Sequence, residues 1–167
     1  TEVTTGPVVE EPSYSHGGSF ADFDNDGDLD LFVANWRARS FLYANNGDGT
    51  FTKLTGDADY PMLEENIFSN SGAWGDFNND GHLDLFVAKG FNLLNSLYLN
   101  DGDATFTAVD NFLLDDQKNV IFDGGRSTGA FWGDYSRDGF LDLYVTNRED
   151  NNFLYRNNRD GTFTKVV

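Results

Sequence analysis

Short runs in which apolar and polar residues alternate recur along the chain, broken by clusters of Asn, Asp and Gly. The clearest are LDLFVAN (29–35), LDLFVAK (83–89) and LDLYVTN (141–147). In the middle one, Leu83, Leu85 and Val87 alternate with Asp84, Phe86 and Ala88. A period of two, carried by β-branched and aromatic residues, predicts strands. Each run is preceded by a second short strand-like segment, such as GAWGDF, and followed by two more, such as SLYLN and TFTAV. Between the last two lie Asn45-Asn46-Gly47-Asp48-Gly49 and its counterparts at 100–104 and 157–161, which have hairpin-turn chemistry.

These four strands form one unit that occurs three times. Residues 19–35 read SFADFDNDGDLDLFVAN, 73–89 read AWGDFNNDGHLDLFVAK and 131–147 read FWGDYSRDGFLDLYVTN. The trailing segments are SFLYANNGDGTFTKL (40–54), NSLYLNDGDATFTAV (95–109) and NNFLYRNNRDGTFTKV (151–166). Four short strands repeating at this period are the signature of a propeller blade. The expected fold is all-β, with three four-stranded antiparallel propeller blades covering about 1–54, 55–109 and 110–167. The connections at 1–17, 55–71 and 110–128 resemble one another least and are expected to be loops. Three blades cannot close a ring, so the monomer is expected to be incomplete. It would be completed by self-association, as in two chains closing six blades, or by further repeats of a longer chain.

Composition narrows the partners. The net charge is −17, which disfavours nucleic acid and anionic membrane, since both call for a basic footprint. The aromatic content of 16% argues against a disordered acidic chain. Cysteine is absent, which removes disulfide, thiolate-metal and cysteine-nucleophile chemistry. No apolar run reaches the ~20 residues of a membrane span. The chain opens at Thr1 with no leader pattern, as a processed or trimmed chain would.

Much of the acid sits in three loops between the first and second strands of each unit. The first places Asp22, Asp24, Asp26 and Asp30 at positions 1, 3, 5 and 9, with Gly27 at 6 and the Asp28 carbonyl at 7. The second has Asp76, Asn78, Asp80 and Asp84, with the carbonyl of His82; the third has Asp134, Ser136, Asp138 and Asp142, with the carbonyl of Phe140. Calcium takes six to eight oxygens, and a short loop supplies them from alternate positions. An EF-hand shares positions 1, 3, 5 and 6 but needs a bidentate Glu at 12 and helical flanks. Position 12 here is Val33, Val87 or Val145, so aspartate at 9 must close the site. Metal-free hairpin turns are the simpler alternative, yet turns do not need three carboxylates converging on one point. About three calcium ions are expected, tightest in the first loop, which has four carboxylates, and weakest at Ser136.

The motifs DFDNDGDLDLFVAN, GDFNNDGHLDLFVAK and GDYSRDGFLDLYVTN, with their LYxNNGDGTFT-like followers, resemble FG-GAP/VCBS repeats of the integrin-α-like propeller superfamily. The resemblance implies four-stranded blades, calcium in the loop between a blade's first two strands, and a secreted, extracellular, cell-surface or periplasmic setting. It implies no single activity.

Trp36 stands apart from the repeat, in the segment WRAR with Arg37 and Arg39. An exposed indole beside two guanidinium groups would suit a sugar or carboxylate ligand; a blade-edge contact is the plainer alternative. The two histidines have no recurrent serine partner, so no hydrolase triad is expected. The leading expectation is a non-catalytic, calcium-stabilised module for binding, adhesion or assembly. A calcium-dependent lectin, or the non-catalytic part of a polysaccharide-active enzyme, is the alternative.

Overall fold

A computed structural model describes residues 5–56, 58–64, 68–109 and 125–166. It contains three four-stranded antiparallel sheets, each in simple sequential order. The first is β1 (Ser15–Ala21), β2 (Asp30–Asn35), β3 (Phe41–Asn45) and β4 (Phe51–Lys53). The second is β5 (Ser69–Gly75), β6 (Asp84–Lys89), β7 (Ser96–Asn100) and β8 (Phe106–Ala108). The third is β9 (Ser127–Gly133), β10 (Asp142–Asn147), β11 (Phe153–Asn157) and β12 (Phe163–Lys165). Registers repeat: Ala21 pairs with Asp30, Gly75 with Asp84 and Gly133 with Asp142, so each aspartate loop is the β-hairpin turn of its sheet's first two strands.

The sheets stack face to face in chain order, with β5 against both β1 and β9. Two apolar seams result, one between the first and second blades and one between the second and third. This is why β6, DLFVAK, is buried along its whole length. The seams match residue for residue. Phe23 stacks on Trp74 at 6.1 Å, and Phe77 stacks on Trp132 at 5.9 Å. Phe32 meets the edge of Trp74 and Phe86 that of Trp132. The Asn100 amide donates to the Phe23 carbonyl at 2.7 Å, and the Asn157 amide to the Phe77 carbonyl at 2.8 Å. The recurrent aromatic ahead of each loop is therefore seam core where a blade precedes it. Phe20, its counterpart in the first blade, is 61% exposed.

Two connections depart from the loops the sequence suggested. Pro7–Glu10 forms one helical turn, α1, and Pro61–Leu63 a 3-10 turn. The segments PVVEE and PMLEE stand at the same distance ahead of Asp22 and Asp76. Met62 and Leu63 are buried in the first seam, whereas Val9, at the outer side of the first blade, is exposed. Proline at the first helical position favours such a turn. The third connection lies mostly outside the described residues.

Candidate metal centre

The loop conformation recurs. Position 4 is left-handed in each loop, with φ of 60° at Asn25, 60° at Asn79 and 59° at Arg137. Position 6 has φ of 96°, 92° and 88° at Gly27, Gly81 and Gly139, a region that favours glycine. The fold turns loop amides inward onto the carboxylates. Gly27 N donates to Asp22 Oδ2, Gly81 N to Asp76 Oδ2 and Gly139 N to Asp134 Oδ2, each at 3.0 Å. The amides of Asp28, His82 and Phe140 donate to Asp26, Asp80 and Asp138.

The position-9 aspartates are buried and do more than face the loop. Asp30 Oδ2 accepts from Phe23 N at 3.1 Å and Oδ1 from Asn45 N at 2.8 Å. Asp84 accepts from Phe77 N and Asn100 N, and Asp142 from Ser136 N and Asn157 N. Each one ties its loop to the end of the third strand of its sheet, where the last hairpin turn starts. The sequence suggested a metal ligand at position 9 but not this structural duty.

The three loops differ in what they gather. In the first, oxygens of Asp22, Asp24 and Asp30 all lie within 4.8 Å of one another. Asp22 Oδ1 is shut off from solvent and has no hydrogen-bond partner. A cation among these oxygens would use that lone pair and offset their repulsion, so this donor set fits calcium. In the second loop both Asp76 oxygens accept amides, and the Asn78 amide donates to Asp80 Oδ2 at 2.7 Å. In the third, Asp138 faces Arg159 at 3.0 Å and Arg156 at 3.8 Å. The Arg159 guanidinium holds the Asp138 carboxyl below the usual carboxylate range.

Burial pushes the Asp30 carboxyl up to about 6 and that of Asp84 up to about 7, against the pull of their amide donors. The sign follows by linkage. A carboxyl raised above its unfolded value of about 4 adds stability at low pH, and that stability is lost as pH rises through about 6 to 7. Asp48, Asp103 and Asp138, lowered by their partners, act only below that unfolded value. Chelator-treated protein should therefore melt higher at pH 5 than at pH 8. An equal or lower Tm at pH 5 would contradict this.

The ends of the blades opposite the loops hold a second feature. A groove of ≈ 490 Å³ runs across the starts of β1, β5 and β9 and the ends of β2, β6 and β10. Trp36 lines it, whereas Arg37 and Arg39 do not. Arg39 instead pairs with Glu64 at 3.3 Å. The basic groups that share the groove with Trp36 are Arg126 and Arg148, from the third blade. The stacking of blades joins turns that lie more than fifty residues apart, so the arginines of this groove come from a distant part of the sequence.

The sequence model of the FG-GAP-like repeat matches residues 22–87 and 76–145. No curated protein matches the chain. Among solved structures, a lectin of Agrocybe aegerita, described as recognising non-reducing terminal N-acetylglucosamine, is similar with a TM-score of 0.57 and 22% identity. The match covers 90% of this chain but 38% of the lectin, so this chain spans well under half of that protein's length.

Proposed function

Because this chain belongs to the FG-GAP-like repeat family, we propose that it is a calcium-organised propeller segment serving as a non-catalytic binding module outside the cell. The observation that carries this is the first loop, where three carboxylates converge and Asp22 Oδ1 lacks a partner. Metal there stiffens the turn between β1 and β2. Asp26 and the Asp28 carbonyl complete the candidate ligand set of this loop. Asp76, Asn78, Asp80, Asp84 and the His82 carbonyl form the second set. Asp134, Ser136, Asp138, Asp142 and the Phe140 carbonyl form the third.

The blade faces left open bear on partners. Phe131 and Tyr144 on the third blade are exposed. Tyr144 occupies the strand position at which Phe32 and Phe86 are 0% exposed in the seams. A second copy of this chain, or further repeats, would cover that face. No helix among the described residues is long and apolar enough to cross a membrane. The lectin likeness, at 22% identity, carries the fold alone, so the ligand class has to come from this chain's own surface.

Calorimetric titration with calcium tests the metal. The wild type should give heats from a tightest site that Asp22→Asn abolishes. Asp76→Asn should remove a weaker one, and Asp134→Asn should change least, because Arg159 already neutralises Asp138. Absence of calcium heat in the wild type, or equal losses in the three variants, would overturn the assignment.

A further inference from the structure

The groove opposite the loops is built across all three blades. At its floor His16 Nδ1 lies 2.9 Å from Asn70 Oδ1, and the Asn70 amide donates to the Ser127 carbonyl at 2.6 Å. One side chain from each of the first two blades and a backbone carbonyl of the third are thus linked in one line. Since Asn70 Oδ1 accepts, the His16 ring donates from Nδ1.

One wall is aromatic. The Trp36 ring lies 4.8 Å from Phe68 and 5.2 Å from Phe91, and Phe68 and Phe91 are 4.5 Å apart. His16 also stacks on Trp36, with ring centroids 4.8 Å apart and planes 15° from parallel. The indole crosses from the first blade onto the second because residue 90 is glycine. A Cβ there would sit 3.0 Å from Trp36 Cζ3. The third blade has Arg148 at the corresponding position. Phe91 is exposed and left-handed, with φ of 59°, an uncommon state for a bulky residue. Its equivalents Arg37 and Glu149 have φ of 59° and 65°. A left-handed residue thus recurs at this position in all three blades, while the second turn is one residue longer and holds a second one, Asn92, with φ of 59°.

The facing wall is polar and of mixed sign. Glu149 pairs with Arg126 and lies 3.8 Å from Arg148. Thr128 and Asn92 add further donors and acceptors. A small anion would have to compete with Glu149 for both arginines and enter a chain of net charge −17. A wholly apolar ligand would desolvate the ion pairs without replacing their hydrogen bonds. A ring with an apolar face and several hydroxyls, each both donor and acceptor, satisfies both walls at once. The volume falls within the range of small-molecule sites, about 300–1,000 Å³.

We propose that this groove binds a neutral saccharide, its apolar face against Trp36 and Phe91 and its hydroxyls toward Arg126, Arg148 and Glu149. The proposal rests on the binding-module reading but not on calcium chemistry in the loops.

Ligand-observed NMR and tryptophan fluorescence on the calcium-supplemented chain test it. The probes are methyl glycosides of a neutral hexose, an N-acetylhexosamine and a hexuronate, with an acidic peptide as a fourth arm. At least one neutral glycoside should bind at about millimolar affinity or tighter. Trp36→Ala and the surface substitution Arg148→Ala should each weaken it at least tenfold, while Arg39→Ala leaves it unchanged. Circular dichroism and the calcium heats of each variant show whether it folds. Binding of the hexuronate or the peptide alone, no binding by any probe, or binding indifferent to Arg148→Ala in a folded variant would each overturn the saccharide groove. None of these outcomes alters the calcium result, so the two failures are separable.

Discussion

Phe86→Ala should destabilise the chain by about 3–5 kcal/mol, whereas Tyr144→Ala, at the same strand position one blade on, should cost no more than about 0.5 kcal/mol. The repeat supplies its own control. Both residues follow the buried Asp-Leu pair of a second strand, at LDLFVAK and LDLYVTN. Phe86 is 0% exposed and sits 6.3 Å from Trp132 in an edge-to-face contact. Its removal deletes that contact and opens a void among Leu97, Leu143 and Tyr155. Tyr144 is 39% exposed and has no further blade against it among the described residues. Phe32, in the same geometry against Trp74 at 6.4 Å, should behave like Phe86. For a chain of this size the seam variants should melt roughly 6–20 °C lower, at about 2–4 °C per kcal/mol. Urea unfolding of the three variants reads the difference directly. Equal losses at 86 and 144 would mean that the seams do not hold the blades together.

Calcium at a hundred times its dissociation constant should stabilise the chain by about 2.7 kcal/mol for one tight site. That corresponds to a rise in Tm of roughly 5–11 °C over chelator. The gain is expected to come chiefly from the first loop, because there the carboxylates have the fewest competing partners. Burial and the neighbouring charges of Asp26 and Asp22 raise the Asp24 carboxyl, a repulsion that a cation bound there would offset. The double substitution Asp22→Asn, Asp24→Asn should therefore abolish most of the calcium-dependent shift. Asp138→Asn should retain most of it, since Arg159 already balances that carboxylate at 3.0 Å. Magnesium at equal concentration should do less, as it dehydrates reluctantly and prefers a smaller octahedral shell. A wild-type Tm unmoved by calcium would leave the loops as Asx-type turns only.

Much of the architecture was legible from local pattern. The Asp-Gly loops, the alternation of LDLFVAK and the Asn-Gly-Asp hairpins each depend on residues close in sequence, and the strands fall where those patterns lie. What could not be read depends on contacts between segments distant in sequence, within a blade or between blades. Arg159 reaches Asp138 from a hairpin two strands later, and no spacing rule marks that pair. Trp36 shares a groove with Arg126 and Arg148, which Arg37 and Arg39 do not line, because stacking brings together corresponding turns of successive blades. The helical turns at Pro7 and Pro61 were hidden for a different reason. Each is too short to show a helical period, and only their shared Pro-x-x-Glu-Glu frame gives them away.

The Asn100 and Asn157 amides give the array a direction. Each donates to a loop carbonyl of the blade before it, Phe23 or Phe77, and to a carbonyl of its own blade, Leu83 or Leu141. Asn45 bonds its own Leu29 carbonyl in the same way. Every blade thus has a donating side and an accepting side that are not interchangeable. Two like sides pressed together would leave amide facing amide, or carbonyl facing carbonyl. A blade added to this stack would therefore join head to tail, and an assembly built on these faces would be a cyclic ring or an open screw, not a mirror-like sandwich of equal faces.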